Sequence, residues 1–218
     1  MPIRENCARI YDRIHNAAAR SHRDPGSIRL IGVSKTVTAD RIREAAAAGI
    51  TDIGENRLQE ALSKKDDLRD LPLRWHFIGH LQTNKVRKVV ENFDYVQSVD
   101  RSELAQRLQD YTQKRLPVLL EVELGNEGTK AGISPAELPR LVEYVRGLDR
   151  LELRGLMTVP PYLDDPESVR PYFARLRTLG EGLGLRELSM GMSHDFEVAI
   201  EEGATMVRVG TALFGSRS

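Results

Sequence analysis

The sequence predicts an α/β protein, a single (β/α)8 TIM barrel that spans residues 1–218 as one domain. Short apolar strands alternate with amphipathic helices almost from end to end. This alternation implies parallel strands joined by right-handed crossovers. Eight strands are predicted, the number that closes such a barrel. A chain of 218 residues also suits a barrel built as one unit.

The predicted strands are short runs rich in aliphatic and β-branched residues, and each precedes a helical pattern. The helices have ordinary start and stop signals, such as Asp100 before one helix and Gly49 or Gly147 after others. The predicted strands cover 28–35, 52–56, 75–79, 95–99, 118–124, 151–159, 187–193 and 205–210. The predicted helices between them cover 38–48, 57–71, 84–92, 102–114, 135–147, 166–182 and 195–202.

The two ends of the chain are expected to complete the barrel together. Only about ten residues follow the eighth strand, too few for the usual closing helix. A helix at 3–20 precedes the first strand, and we expect it to take the place of the missing last helix. The proline-rich segment 160–166 is interpreted as a loop between strand and helix.

Charge, cysteine content and hydropathy exclude several classes of protein. Lys+Arg and Asp+Glu both number 32, so no global basic field points to nucleic acid as a partner. Cys7 is the only cysteine, which rules out an intramolecular disulfide. No apolar stretch is long enough to cross a bilayer, and 1–20 lacks the apolar core of a secretory signal. We expect a cytoplasmic protein without a membrane partner.

Lys35 is the first candidate site residue, because it stands where an apolar strand ends. A lysine in that place can lose part of its hydration, which lowers its pKa and frees an amine to attack an aldehyde. The alternative is a lysine whose stem packs on the strand end while its ammonium reaches water. Alternation along the strand places Ile31 and Val33 below Lys35 if it points into the barrel.

The loops after the seventh and eighth strands are the second candidate, because barrels of this class often bind phosphate there. Ser193 and Thr211 supply hydroxyls, and Gly210 permits a close approach of the backbone. Ser193 as an ordinary helix N-cap and Gly210 as a turn glycine remain the alternative. Arg208 shares a strand face with Gly210 and would also point inward, toward either a ligand or an acidic side chain.

Together these two features predict a ligand that is both an aldehyde and a phosphate ester. The first and eighth strands are neighbours in a closed barrel, so Lys35 and the phosphate loops would lie side by side. Pyridoxal 5′-phosphate (PLP) is the common molecule of that description.

Several ordered segments resemble the YggS/PROSC family of pyridoxal-phosphate homeostasis proteins. The resemblance covers nearly the whole chain and no single segment carries it. The segments are 33–36 (VSKT), 54–60 (GENRLQE), 76–85 (HFIGHLQTNK), 154–157 (RGLM), 188–195 (LSMGMSHD) and 207–215 (VRVGTALFG).

The resemblance implies a barrel of the alanine-racemase N-terminal-domain type (PLP fold type III), with the cofactor as a Schiff base on Lys35. It implies that Arg208 faces the pyridine nitrogen. The phosphate would be held by Ser193, Gly210 and Thr211, with Met192 alongside, and the pocket lined by Asn56, Met157, Ser189 and Met190. The segment from Glu121 to Glu123 departs from the expected Gln-Val-Asn-like pattern, and the role of Glu123 is open.

Three functions are compared. The leading one is a carrier that binds PLP, buffers it and delivers it to PLP-requiring apo-enzymes, as a monomer and without turnover. The second is a racemase-like PLP enzyme acting on amino acids, and the third is a Schiff-base aldolase without a cofactor. No metal site is expected, and Lys64 and Lys65 are expected on an exposed helix face.

Overall fold

The structure, a computed structural model, describes residues 2–125 and 131–215, and its strands form a closed, all-parallel barrel. The strands follow one another around the barrel in chain order, and β1 pairs with β8 to close it. Their bounds are β1 Arg29–Val33, β2 Asp52–Glu55, β3 Arg74–Phe77, β4 Tyr95–Val99, β5 Leu116–Glu121, β6 Leu151–Met157, β7 Glu187–Met192 and β8 Met206–Val209. The helices are α1 Ile3–Arg20, α2 Ala39–Ala47, α3 Leu58–Lys65, α4 Val86–Asn92, α5 Ser102–Tyr111, α6 Leu138–Arg146, α7 Arg170–Gly182, α8 Phe196–Glu201 and α9 Thr211–Phe214.

The predicted barrel is confirmed, and each predicted strand lies where the sequence placed it, with boundaries that differ by a few residues. Helix starts differ more, because 3₁₀ turns precede some helices. The segment Pro166–Val169 forms such a turn, and Asp165 caps it by accepting from the amide of Glu167. The α-helix then begins at Arg170. Among the described helices, none is long and apolar enough to cross a membrane.

Strand alternation divides the apolar core into two parts. A small cluster fills the inside of the barrel, and it consists of Ile31, Tyr95, Leu119, Met157 and Met206. A much larger cluster lies between the strands and the surrounding helices. Side chains in register with the small cluster therefore point into the barrel, and their neighbours in sequence point outward.

Helix α1 takes the position of a closing helix, as predicted. It packs against α2, α8 and α9, which flank β1 and β8. The Asn6 side-chain amide donates to the carbonyl of Leu213 at 2.9 Å, and Arg13 binds Glu197 of α8 through two hydrogen bonds. The four-residue helix α9 is an addition that the sequence did not predict, since it is too short to show a periodic pattern.

Candidate functional site

Lys35 lies at the carboxyl end of β1, two residues beyond Val33, and its side chain is half-buried. Ile31 belongs to the cluster inside the barrel, and alternation places Val33 and Lys35 on the same face. The chain then turns sharply at Thr36, which adopts a left-handed conformation with φ of 59°. This conformation is strained for a β-branched residue. A bond from the Thr36 amide to Glu60 Oε2 at 3.1 Å holds the turn.

A buried ion pair supports the end of β1. Lys64 Nζ donates to Glu55 Oε1 and to the carbonyl of Ser34, both at 2.6 Å. The Ser34 hydroxyl donates to the same Glu55 oxygen at 2.6 Å. The prediction that Lys64 lies on an exposed helix face was therefore wrong. Lys65 is also half-buried, with its ammonium over the ring of Trp75.

Ser193 joins the loops that follow β7 and β8. Its hydroxyl oxygen accepts from the backbone amides of Gly210 at 3.2 Å and Ala212 at 3.3 Å. It does not cap α8, whose N-cap residue is Asp195. The oxygen accepts both bonds, and within 2–125 and 131–215 the hydroxyl proton has no acceptor, so it can be donated to an anion at this edge.

The Ser193 loops lie beside the end of β1. Gly32 pairs with Val209, so Gly210 is level with Val33. A methyl group built on Gly210 would lie 3.3 Å from the carbonyl oxygen of Val33, which shows how closely the two strand ends approach. The structure thus brings the Lys35 and Ser193 segments to the same rim of the barrel. Thr211 begins α9 on this rim and is exposed.

Arg208 points into the barrel and is only 4% exposed. Its Nη1 donates to Ser189 Oγ at 2.7 Å and its Nη2 to the carbonyl of Thr158 at 2.8 Å. Neither bond goes to a carboxylate, although Glu121 and Asp195 are close enough to act on its charge. Burial lowers the pKa of Arg208 to about 10, against the opposing pull of these two acids, so the group stays cationic at neutral pH.

Glu121 ends β5 with the same inward orientation as Leu119 and is almost fully buried. Burial raises the pKa of its carboxyl to about 7, the charge of Asp100 adds to the rise, and Arg208 opposes it. This acid therefore titrates near neutral pH close to Arg208. Two residues on, Glu123 has a buried carboxylate oxygen, Oε1, without a hydrogen-bond partner in the described part of the chain.

Asn56 follows β2 on the same rim. Its carbonyl oxygen, Oδ1, is buried and has no hydrogen-bond partner within 2–125 or 131–215. A buried amide oxygen without a partner costs free energy, so a site for an additional donor is indicated. Gly79 allows the backbone of Asn56 to pack directly against it, because a methyl group on residue 79 would lie only 2.4 Å from the backbone oxygen of Asn56.

The methionines and Ser189 divide between the two sides of the barrel wall. Met157 belongs to the inner cluster and Ser189 is bonded to Arg208, so both face the interior. Met192 is half-buried at the end of β7. Met190 instead packs in the outer cluster beneath the helices, so the structure does not bring its side chain into the site. The expectation for Met190 is corrected, because it alternates with Ser189 along β7.

Three polar residues inside the barrel were not assigned to the site from sequence. His76 Nε2 bonds Asp52 Oδ1 at 2.8 Å, and His76 Nδ1 bonds Gln97 Nε2 at 3.0 Å. Gln97 Oε1 in turn accepts from Ser189 Oγ at 2.7 Å. The sequence does contain a signal: each is a polar residue in a predicted or observed strand, at a position that alternation turns inward.

A cavity of about 530 Å³ opens at the opposite mouth, where the strands begin. It is lined by three arginines and two acids, namely Arg29, Arg74, Arg186, Asp52 and Glu187. None of the predicted site residues lies there, and the opposing charges largely balance. Lys35 and the Ser193 loops instead lie at the other rim.

Known proteins resemble this chain over its full length. The sequence profile "Alanine racemase, N-terminal domain" matches residues 6–218. A pyridoxal phosphate homeostasis protein of Pseudomonas aeruginosa is 51% identical over 220 residues, covering 99% of this chain and 96% of that protein. The protein of the same description from Aquifex aeolicus is 49% identical and covers 98% of this chain and 97% of its own length.

Solved structures of similar proteins superimpose on this chain. PipY of Synechococcus elongatus with PLP bound superimposes with a TM-score of 0.80 and 43% identity, covering 94% of this chain and 100% of PipY. Alanine racemase from Corynebacterium glutamicum superimposes with a TM-score of 0.72 over 98% of this chain and 62% of the racemase. At 18% identity this second likeness concerns the fold alone.

Proposed function

The chain belongs to the family of pyridoxal phosphate homeostasis proteins, and from this membership we propose that it binds PLP covalently on Lys35 and buffers or delivers it. The proposed site lies at the carboxyl rim of one PLP-binding domain formed by residues 1–218. Besides Lys35, its members are Asn56, Met157, Ser189, Met192, Ser193, Arg208, Gly210 and Thr211. Met190 contributes to the packing behind the site.

The adjacency of Lys35 and the Ser193 loops carries the proposal. The pairing of β1 with β8 supports it, because Lys35 and the Ser193 hydroxyl follow neighbouring strand ends on one rim. PLP supplies an electrophilic aldehyde and a phosphate on the same small ring, so it can reach both. Condensation of the Lys35 amine with that aldehyde forms one C=N bond and releases one water.

The remaining residues fit the same cofactor. Asn56 Oδ1, which has no partner among the described residues, matches a hydroxyl donor on the ring. Ser193 retains its hydroxyl proton for a phosphate oxygen, and the backbone near Gly210 permits close approach. Arg208 is held as a buried cation, and a permanent cation facing the pyridine nitrogen disfavours its protonation.

A carrier role agrees best with these groups. An unprotonated ring nitrogen weakens the ring as an electron sink, which disfavours carbanion chemistry on a bound amino acid. The recipients that we propose are PLP-requiring apo-enzymes in the cytoplasm, and we propose a monomer. Neither nucleic acid nor membrane is part of this proposal.

One observation favours the second candidate, a PLP enzyme acting on amino acids. Glu121 has a carboxyl pKa of about 7 close to Arg208, and a general acid or base works best near the pH of the reaction. Steady turnover of an amino acid by the wild type, lost in Glu121→Gln, would favour this candidate over the carrier.

Borohydride reduction followed by peptide mass spectrometry tests the proposed function. PLP-treated wild type is expected to carry one reduced pyridoxyl phosphate group on the peptide that contains Lys35, and Lys35→Ala none there. Lys88→Ala is the matched control, because Lys88 is exposed on α4, and it should be modified like the wild type. Modification spread over exposed lysines with Lys35 untouched would refute the proposal.

Delivery has its own test. Loaded protein is mixed with a PLP-requiring apo-enzyme, and the recovered activity of that enzyme is followed. Loaded wild type is expected to restore activity, whereas protein reduced with borohydride should not, because its cofactor can no longer leave. Equal recovery from both preparations would contradict delivery from Lys35.

A further inference from the structure

A continuous chain of hydrogen bonds crosses the interior of the barrel. It begins at Arg208 on β8 and passes through Ser189 on β7, Gln97 on β4 and His76 on β3 to Asp52 on β2. The four distances in this order are 2.7, 2.7, 3.0 and 2.8 Å. All five residues are buried, with exposures between 0% and 4%.

The orientation of the Gln97 amide sets the direction of every bond in this chain. Arginine has only donors, so the Ser189 oxygen accepts from Arg208 and its single proton goes to Gln97 Oε1. The other end of the Gln97 amide has only donors, so His76 Nδ1 must accept. His76 then carries its proton on Nε2 and donates it to Asp52. One set of proton positions is therefore consistent with all four bonds.

The charges around His76 agree with this neutral form. Asp52 and two arginines face its Nε2 side, since Arg29 and Arg74 lie 3.7 and 3.5 Å from Asp52 Oδ1. Tyr95 stacks on the imidazole at 5.0 Å between ring centroids. Burial lowers the pKa of His76, against the hydrogen bond and charge of Asp52, which raise it.

We propose that Gln97 is a positioning residue that fixes Arg208 against the cofactor ring by acting through Ser189, with His76 and Asp52 holding its far end. This inference rests on the proposed function, because Arg208 has a ring to face only if PLP binds. Gln97 carries its donor and its acceptor on different atoms of one amide, so its orientation sets the direction of the bonds on both sides of it.

The test replaces Gln97 and follows the visible absorbance band of the PLP-loaded protein against pH. Gln97→Met removes the acceptor of Ser189, so the Ser189 hydroxyl is free to turn and Arg208 is held firmly only by its bond to the carbonyl of Thr158. The ring nitrogen can then gain a proton, and this positive charge lowers the pKa of the Lys35 nitrogen that holds the cofactor. We expect the pH midpoint of the band to fall by about one unit or more, while reduction still places one adduct on Lys35.

Two further variants separate positioning from a general disturbance of the core. His76→Gln retains an acceptor toward Gln97 and a donor toward Asp52, so it should keep the midpoint close to that of the wild type. Ser98→Ala alters the next residue of β4, whose buried hydroxyl has no partner among the described residues, and should change nothing. A positioning role requires the midpoint to move in Gln97→Met and not in these two.

A second measurement needs no cofactor. ¹⁵N NMR of the imidazole in the wild type should show His76 Nδ1 unprotonated and Nε2 protonated. Gln97→Glu presents an acceptor to Nδ1, so His76 should take up a second proton. Loaded, folded Gln97→Met with an unshifted midpoint would overturn the positioning role alone. A wild type that takes up no PLP would overturn both proposals.

Discussion

The ammonium of Lys64 donates to the carbonyl of Ser34, the residue immediately before Lys35, at 2.6 Å. The same ammonium pairs with Glu55 at the end of β2. Lys64 on α3 therefore links the ends of the neighbouring strands β1 and β2, at the rim where the proposed cofactor amine lies. Both charged side chains are nearly inaccessible to solvent, at 10% and 0%.

Lys64→Met should destabilise the fold, because Glu55 would be left as a buried charge without its partner. The expected loss in the free energy of unfolding is about 3–5 kcal/mol, measured by urea denaturation. Lys65→Met is the matched control on the same helix. Lys65 donates to a backbone carbonyl, that of Asn92, and not to a carboxylate, so its loss should be about 1 kcal/mol. Equal losses in the two variants would contradict the role of the ion pair.

Ser193→Ala should weaken the binding of PLP more than that of pyridoxal, which lacks the phosphate. The variant removes the hydroxyl proton offered to the phosphate and the acceptor that orders the amides of Gly210 and Ala212. A hydrogen bond to a charged group contributes about 1.5–3 kcal/mol, which corresponds to a loss of affinity of roughly 10- to 100-fold.

Fluorescence titration with the two ligands measures this difference. Thr178→Ala is a suitable control, because that hydroxyl bonds only the carbonyl of Ala174 within its own helix α7 among the described contacts. An equal loss of affinity for PLP and pyridoxal in Ser193→Ala would place the phosphate elsewhere.

Glu121→Gln should change how stability depends on pH. Burial raises the carboxyl pKa from 4.5 to about 7, so the folded protein keeps a proton that the unfolded chain has released in this interval. The stabilising effect of that proton is complete below pH 4.5 and is lost as the pH rises through 7. It amounts to about 3 kcal/mol.

Urea denaturation at pH 5 and pH 8 checks the Glu121 prediction, with conditions chosen on either side of the raised pKa. The wild type should lose stability between them relative to Glu121→Gln. Glu103→Gln, an exposed acid on α5, serves as the control and should follow the wild type. If the free energy of unfolding changed equally with pH in the wild type and in Glu121→Gln, Glu121 would be ionised in the folded protein at both pH values.

Thr36→Asn should stabilise the fold, because Asn tolerates the left-handed conformation that Thr36 adopts. The expected gain is about 0.5–1 kcal/mol, measured by thermal or urea unfolding. Thr38→Asn is the comparison, since Thr38 has an ordinary extended conformation with φ of −73°, and no strain is relieved there. A destabilised Thr36→Asn would show that the turn after Lys35 is not strained.

Much of this molecule was accessible from the sequence because its signals are local. Alternation of apolar strands with amphipathic helices predicted the barrel, and the short tail after β8 predicted the place of α1. The inward orientation of Arg208 followed from the period of two along β8. The same rule, applied to β7, shows why Ser189 faces the interior and Met190 does not.

Hydrogen-bond and ion-pair partners that lie on different elements could not be predicted from the sequence in the same way. Lys64 has the composition of an exposed helix, and only the packing of α3 on the strand ends buries it beside Glu55. Gln97 and Ser189 are separated by 92 residues and meet only because β4 and β7 face each other across the closed barrel. Nothing in the neighbouring sequence of either residue identifies the other.

The sequence by itself determined the barrel, the family, and the candidate amine and candidate phosphate loops, which lie near the start and the end of the chain. Periodicity and turn chemistry depend on neighbours a few positions apart, and these are written directly in the chain. The tertiary structure alone decided which buried polar groups bond one another, including the path from Arg208 to Asp52. Closure of the barrel sets those distances, and burial then requires each donor brought inside to find an acceptor.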